Sequence, residues 1–557
     1  MPENHPTAAD ASRQDPFRWS RADIAAALDD FSRADHPSQR HYAEQLGIPA
    51  ATFNYWTRHY CPDEDDPVAT FFCSAAGELV LRRIVLAAIT TFQFQGACGI
   101  RPVGTFIERA GLHRFVATSR GALHPLAAGI ESDLVAWRDR EQPALAQQMK
   151  PRAITLVLDE HFHSGKPCLV GQEPTTGFLA VECYRERRDA TTWKGAIEEG
   201  THGMPVEVIQ LTSDEARALI CLAEKGLHTA HSPDLFHGQR DMLQPLLLPL
   251  SRPIQKAEKE LEKAGRHSDQ LDTPLQEPQS EQEFLNLIEA VREEEAIRQQ
   301  LEEAKQLKEE AVRQVRGVGD DYHPFDRETG KPVTAEEVGK RLTGHVDRLA
   351  EVVAQADLDE KATQAVNKSR TWLATLMGCV AWFWSLANAR VEELELGAEQ
   401  ERVVKEKLLA GHYWAMAARR ARTEQERKRL KEMAEGLKKE AWQEDGALSA
   451  LSEEERREVE EVARETAGLF QRSSSAVEGR NGRLSLQQHG HSRVSEGRLK
   501  ALTVLHNYLV KRRDGTTAAQ RFFGQKHKDV FCWLLDRMPS LPRPAPKRPQ
   551  AAAQGVL

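Results

Sequence analysis

Three acidic residues, Asp159, Asp214 and Glu478, stand in settings that suit carboxylates for metal chemistry. Asp159 ends the apolar, partly β-branched run Ile154–Leu158, which reads as a strand buried on both faces. A carboxylate there is costly to bury without a partner or a task. Taken alone, it serves equally well as the cap of a turn. Asp214 follows a second apolar strand, Val206–Leu211, and Glu478 lies far downstream in Ser473-Ser-Ser-Ala-Val-Glu478-Gly-Arg-Asn-Gly-Arg483. Two strand-end aspartates and a distant glutamate can converge on a divalent cation, because hard cations prefer oxygen ligands. Asp234 is an alternative to Asp214, and Glu496 to Glu478. Asp214 is preferred because it directly follows a buried strand, Glu478 because its neighbourhood is polar and starts a basic strip.

A chain of 557 residues, 40% hydrophobic and 29% charged, can bury a large core and divide into about three or four domains. The net charge of −9 does not advertise a nucleic-acid binder, but the charge is unevenly spread. The eight cysteines form no CxxC pair and no zinc-finger spacing, which suits reduced thiols in a cytoplasmic protein. Residues 1–15 are polar and acidic, unlike a signal peptide. The apolar segment Leu79–Phe94 is broken by Arg82 and Arg83 and is short for a bilayer, so a buried helix is expected and no membrane partner.

Near the N-terminus, Ser38 can cap a helix carrying Tyr42, Ala43 and Leu46. Gly47 breaks it, and a second helix follows with Phe53 and Trp56 facing inward. A small residue before a turn glycine and apolar positions after it give the helix-turn-helix pattern. Thr52, Asn54, Tyr55 and Arg58 are then candidate contacts to DNA bases and phosphates. Ala110-Gly-Leu112 could form a second such unit, a packing hairpin being the plainer reading.

From Ala153 the texture becomes α/β. Strands are expected at Ile154–Leu158, near Cys168–Val170, at Phe178–Cys183 and at Val206–Leu211, with a helix near Thr192–Glu199 before the last. A helix opening at Asp214 and capped by Ser213 is expected next, then a short strand or turn in His228–Gly238. This order, with Asp159, Asp214, Glu478 and the element Ser232-Pro-Asp-Leu-Phe-His237, resembles the DDE transposases of insertion-sequence type that carry a helical insertion. The resemblance covers about residues 153–238 and 473–524. It implies an α/β ribonuclease-H-like catalytic core, with Asp159, Asp214 and Glu478 holding Mg²⁺ or Mn²⁺ and Asp234 and His237 as secondary candidates. It also implies cleavage and joining of double-stranded DNA at element ends and target, in an oligomer of this chain in a bacterial, nucleoid-associated setting. A departure is Glu160-His-Phe-His163, a metal-friendly cluster right after the first acid.

The rest of the chain reads as large all-α regions. The segment 282–314 is dense in Glu, Lys, Arg and Gln, with apolar residues at helical spacing, and is expected to form a coiled-coil arm that mediates self-association. Arg370–Leu386, with Trp372, Trp382 and Trp384, reads as a core helix. Arg472–Lys528 is strongly basic, which suits a phosphodiester substrate, and Arg480, Arg483 and Arg493 are candidate DNA contacts. The expected division is 1–61 helix-turn-helix, 68–150 helical, 151–240 first part of the core, 241–469 insertion, 470–535 last part of the core, and 536–557 a disordered proline-rich tail. The rival expectations are a transposase-derived DNA-binding protein without catalysis, or a nuclease of the same fold.

Overall fold

The structure is a computed structural model that describes residues 19, 21–33, 38–59, 66–272, 281–490 and 494–544. Three short helices, α1 (Arg21–Arg33), α2 (Gln39–Gln45) and α3 (Ala50–His59), form the N-terminal unit. Ser38 caps α2 by accepting the His41 N–H at 3.1 Å, and Gly47 takes the corner at φ +66°, a conformation that costs glycine little. Ile24, Tyr42, Phe53 and Trp56 close a core of their own. The expected corner therefore forms with its apolar faces inward.

Residues 66–150 do not form a separate domain. Here α4 (Pro67–Cys73), α5 (Ala75–Ala88, continued by a π-helical turn, Ile89–Gln95), α6 (Ile100–Arg109) and α7 (Arg120–Gln148) share one hydrophobic core with the sheet and with the C-terminal helices. Trp137 of α7 meets Tyr508 edge-on at 4.9 Å. Leu112 and Phe115 are buried in that core, so the second glycine corner is a packing hairpin.

The sheet has strands β1 (Arg152–His163), β2 (Lys166–Glu173), β3 (Phe178–Tyr184), β4 (Val206–Ser213) and β5 (Ala230–Pro233), in the order β3-β2-β1-β4-β5. The first three pair antiparallel, while β4 and β5 run parallel to β1. α8 (Ala190–Thr201) and the short α9 (Arg217–Cys221) connect the parallel strands. β1 runs five residues past its expected end, because residues 159–163 still pair with β2 after β4 has stopped. No cap at Ser213 opens α9, which starts at Arg217; the Ser213 hydroxyl instead donates to the Asp214 carbonyl and meets His231 Nε2.

Two long helices, α10 (Leu235–Asp272) and α11 (Glu281–Asp321), lie antiparallel, tied by Ser268 to Glu294 at 2.8 Å and by a small core of Ile254, Ala257 and Leu301. This is the expected arm, although its first strand of helix, α10, already begins at the sheet. α12 (Ala335–Gln355), α13 (Glu360–Glu392), α14 (Ala398–Val403), α15 (Ala410–Arg420), α16 (Glu424–Ala441) and α17 (Glu453–Leu469) complete the helical insertion. Trp372, Phe383 and Trp414 are buried in its core. By length and hydropathy α13 is the one described helix that could cross a bilayer, and its apolar face is that core.

The chain then returns to the sheet through α18 (Ser475–Gly490), α19 (Glu496–Tyr508), α20 (Ala518–Phe523) and α21 (Val530–Arg537). The start of the tail is not loose: Met538 and Leu541 are buried, and the Ala117 N–H donates to the Pro542 carbonyl at 2.8 Å. Residues 545–557 lie outside the described residues.

Candidate metal and nucleic-acid site

Parallel pairing sets the first two acids side by side. Val157 of β1 pairs with Thr212 of β4 in the last rung between these strands, so Asp159 and Asp214, each two residues past it, emerge at the same end of the parallel pair. Alternation puts Asp159 on the face of Thr155 and Val157, and this face is covered by the chain returning from the insertion. Thr155 donates to the Leu469 carbonyl at 3.3 Å, and Ser232 of β5 to the Gln471 carbonyl at 3.0 Å. The Leu235 N–H donates to the Arg472 carbonyl at 2.9 Å. Ser474 then gives its N–H, at 3.1 Å, and its hydroxyl to Asp234, a residue 240 positions earlier. Main chain stitched along β5 in this way delivers the N-terminus of α18, and with it Glu478, to the acids.

One ligand atom from each of Asp234, His237 and Glu478 lies within 4.8 Å of the others. Among the described residues this trio, rather than Asp159, Asp214 and Glu478, meets at mutual ligand distance. Asp159 and Asp214 border it, since the charges of both Asp214 and His237 act on Asp159. Asp234 is fully buried and accepts from the Phe236 N–H at 2.7 Å, while its other oxygen meets His237 Nδ1 at 2.9 Å. With Nδ1 turned to a carboxylate, the opposite ring nitrogen is the one available to a ligand, the usual arrangement of a metal-binding histidine. Glu496 drops out: it is exposed at the start of α19 and paired with Lys500 at 2.8 Å.

Two features were not read from the sequence. Asn481, one helical turn beyond Glu478, donates from its amide to Asp159 at 2.7 Å, and its Oδ1 is buried without a hydrogen-bond partner. The only hint was its spacing, since residues three apart share a helix face. Gly238, next to His237, is the other: a Cβ there would sit 2.1 Å from the Trp372 ring, so glycine lets α13 press against the site.

The Asp159 carboxyl is pushed up to about 6, first by burial and then by the negative charge of Asp214; the Glu160 N–H and His237 work in the opposite direction. A folded-state value above the unfolded one near 3.9 means that proton uptake favours the fold. That stabilisation is present below about pH 4 and is lost as pH rises to about 6, leaving a buried charge cluster at neutrality. A cation can then take the place of the proton. Mn²⁺ is expected to raise the melting temperature clearly at about pH 7.5 and little at about pH 5, since the ligands must be deprotonated. Differential scanning fluorimetry decides it, and Asp159→Asn should erase the pH difference. The residues fit a hard cation: two carboxylates and a histidine, Asp234, Glu478 and His237, converge at ligand distance, and Asp159 is tied by Asn481 to the helix that carries Glu478.

The basic strip is largely structural. Arg480 is buried and grips Glu182 of β3 through two hydrogen bonds of 2.6 Å, so it is not a DNA contact. Arg498 is buried against Phe94 and pairs with Glu131 at 2.9 Å. Arg472 donates to the carbonyls of Gly319 and Tyr322, pinning α11 to the core. Arg483 is exposed on α18, and Arg493 lies outside the described residues. His161 and His163 form no metal group with the acids: their rings meet edge-on at 4.7 Å, and His163 Nδ1 bonds the Tyr184 hydroxyl at 2.6 Å. In the N-terminal unit Asn54 is exposed, Thr52 and Tyr55 are partly exposed, and the Arg58 side chain lies outside the described residues.

Residues 404–550, about a quarter of the chain, match the profile of a family described as a family of unknown function (DUF6399). No curated protein and no solved structure matches the chain. The matched span carries Glu478 and Asn481 and none of the five strands.

Proposed function

We infer that this chain is a DDE-type transposase whose ribonuclease-H-like core cleaves and joins DNA phosphodiesters with Mg²⁺ or Mn²⁺. One observation carries the reading. In a β3-β2-β1-β4-β5 sheet Asp159 on β1 and Asp214 just after β4 lie past the same end of two neighbouring parallel strands, and α18, which follows a long helical insertion, carries Glu478 to Asp234 and His237 beyond β5. Asp159, Asp214, Glu478 and His237 would hold the cations. A bound divalent pair supplies Lewis-acid activation of a water or 3′-hydroxyl and neutralises charge on the leaving oxygen. The chain's own groups do the positioning. Asn481 fixes the Asp159 carboxylate, and Asp234 fixes the His237 ring, whose outward nitrogen can also hold a proton. The insertion braces the returning segment through Arg472 and thereby sets Glu478.

The test is incubation of the full chain with a plasmid carrying the DNA that flanks its coding region. Metal-dependent cleavage with strand joining is expected. Hydrolysis without joining would favour the nuclease, and DNA binding without any cleavage the non-catalytic rival.

The N-terminal unit supplies recognition on this reading. Asn54, exposed on α3, is the side chain assigned on this reading to a base edge. Asn54→Ala is expected to weaken binding to the cognate end by about 1–3 kcal/mol, the value of one good base contact, while binding to random DNA stays unchanged. Competition gel shifts with the two DNAs measure the difference, and equal loss on both would remove α3 from sequence readout.

A further inference from the structure

At the end of β1 opposite the acid cluster, residues 152–155 floor a cavity of about 880 Å³. Its walls are the β2–β3 turn, the segment 511–526, and the facing sides of α15, α16 and α17. Eight lysines and arginines line it against three acids, so the cavity carries an excess of five positive charges. Two of those acids are engaged in their own turns. Glu173 accepts the N–H groups of Thr175 and Thr176, each at 2.8 Å, and Asp514 accepts the Thr516 N–H at 2.9 Å.

The cations are fixed chiefly by neutral groups. Arg521 donates to the Thr176 carbonyl at 3.0 and 2.7 Å and to the Thr516 carbonyl at 2.7 Å. Arg512 donates to the Thr175 carbonyl at 3.1 Å. Arg152 donates to the Phe522 carbonyl at 3.2 Å, and its Nε is buried without a partner. Carbonyls orient a guanidinium without cancelling its charge. Burial, and after it the charge of Arg512, pushes Arg521 down to about 10. Asp514, 3.9 Å from Arg521, offsets only part of this charge, and preoriented forks of this kind suit phosphate oxygens, which accept two parallel N–H bonds from one guanidinium.

We propose that this cleft seats the phosphodiester backbone of DNA, in a contact separate from the acid cluster. The cavity is too small for a whole duplex, but one backbone edge can enter between the core and the insertion. Bound there, DNA bridges the two parts of the chain that must cooperate to place Glu478. The proposal takes from the transposase reading only the identity of the polyanion.

Arg419, Lys511 and Lys526 line the cleft and are exposed, so they can be changed with little effect on packing. Fluorescence anisotropy with the full chain and a labelled random-sequence duplex tests the contact. The triple variant R419E/K511E/K526E is expected to lose at least about tenfold in affinity, and its log K against log salt slope should fall by roughly 0.9 per lost phosphate contact. The neutral variant R419Q/K511Q/K526Q should lie between it and the wild type, at an unchanged melting temperature. Cleavage that persists in Asp159→Asn, while the triple variants still lose duplex binding, would unseat the catalytic reading alone. Unchanged affinity and slope in both triple variants would overturn the proposal. So would a cleft that loses inorganic tripolyphosphate binding in the variants while duplex binding stays as it was.

Discussion

Glu478→Gln is expected to abolish metal-dependent DNA cleavage while leaving folding and DNA binding near wild type. The side chain keeps its shape and loses only its charge, and Glu478 is half-buried in the first turn of α18, where losing a negative charge beside the buried Asp234 relieves repulsion rather than stranding a partner. The loss should reach at least ~10²-fold, the scale of removing a group that binds a catalytic ion or moves a proton. Asp159→Asn should lose as much, but with a second signature. Burial and Asp214 hold that carboxyl up, so its neutral replacement should match or exceed the wild-type stability above about pH 6 in the absence of metal. Cleavage rates with Mg²⁺ and Mn²⁺, together with urea midpoints, separate the two. Residual cleavage near wild type in Glu478→Gln would leave Asp159, Asp214 and His237 as the ligands and remove Glu478 from the chemistry.

Arg480→Met should be among the most destabilising single changes in the core. The Arg480–Glu182 pair is buried on both sides, and Glu182 also accepts from Thr503 at 2.6 Å. Removing the cation strands a buried carboxylate, a loss on the order of 3–5 kcal/mol. The consequence reaches the site, because Arg480 clamps α18 to β3 only two residues from Glu478 and one from Asn481. Cleavage should therefore fall in Arg480→Met even at temperatures where the protein is folded. The double change Glu182→Gln/Arg480→Met should recover much of the stability, since no charge is then left alone. A single variant as stable as wild type would mean that water reaches Glu182 and that the clamp is not what holds α18.

These two residues mark where a linear reading succeeds and fails. Arg480 and Glu478 share a polar, basic stretch, and the sequence alone assigned one to chemistry and the other to DNA. Arg480 turned inward because its partner Glu182 lies 298 residues earlier, on β3, within reach of its side chain. His237 and Asp234 were recognised only as secondary candidates. What promotes them is the pairing of β5 beside β4 and the re-entry of the chain at Ser474, both long-range events. Asn481 carried no signal beyond its position one turn after Glu478.

Local elements follow from short-range patterns in the chain. Apolar runs gave β1, β3 and β4, a small residue and a glycine gave the α2–α3 corner, and charged helical periodicity gave the arm, because each depends on residues a few positions apart. Even there, β1 outran its apolar run, since Glu160, His161 and His163 are polar residues that pair only with β2. Tertiary structure alone decided which charges face solvent and which carboxylates meet. Those outcomes depend on desolvation and on pairings between residues hundreds of positions apart. A buried charge survives only where the fold supplies its counter-charge, and no local pattern records where that partner will be.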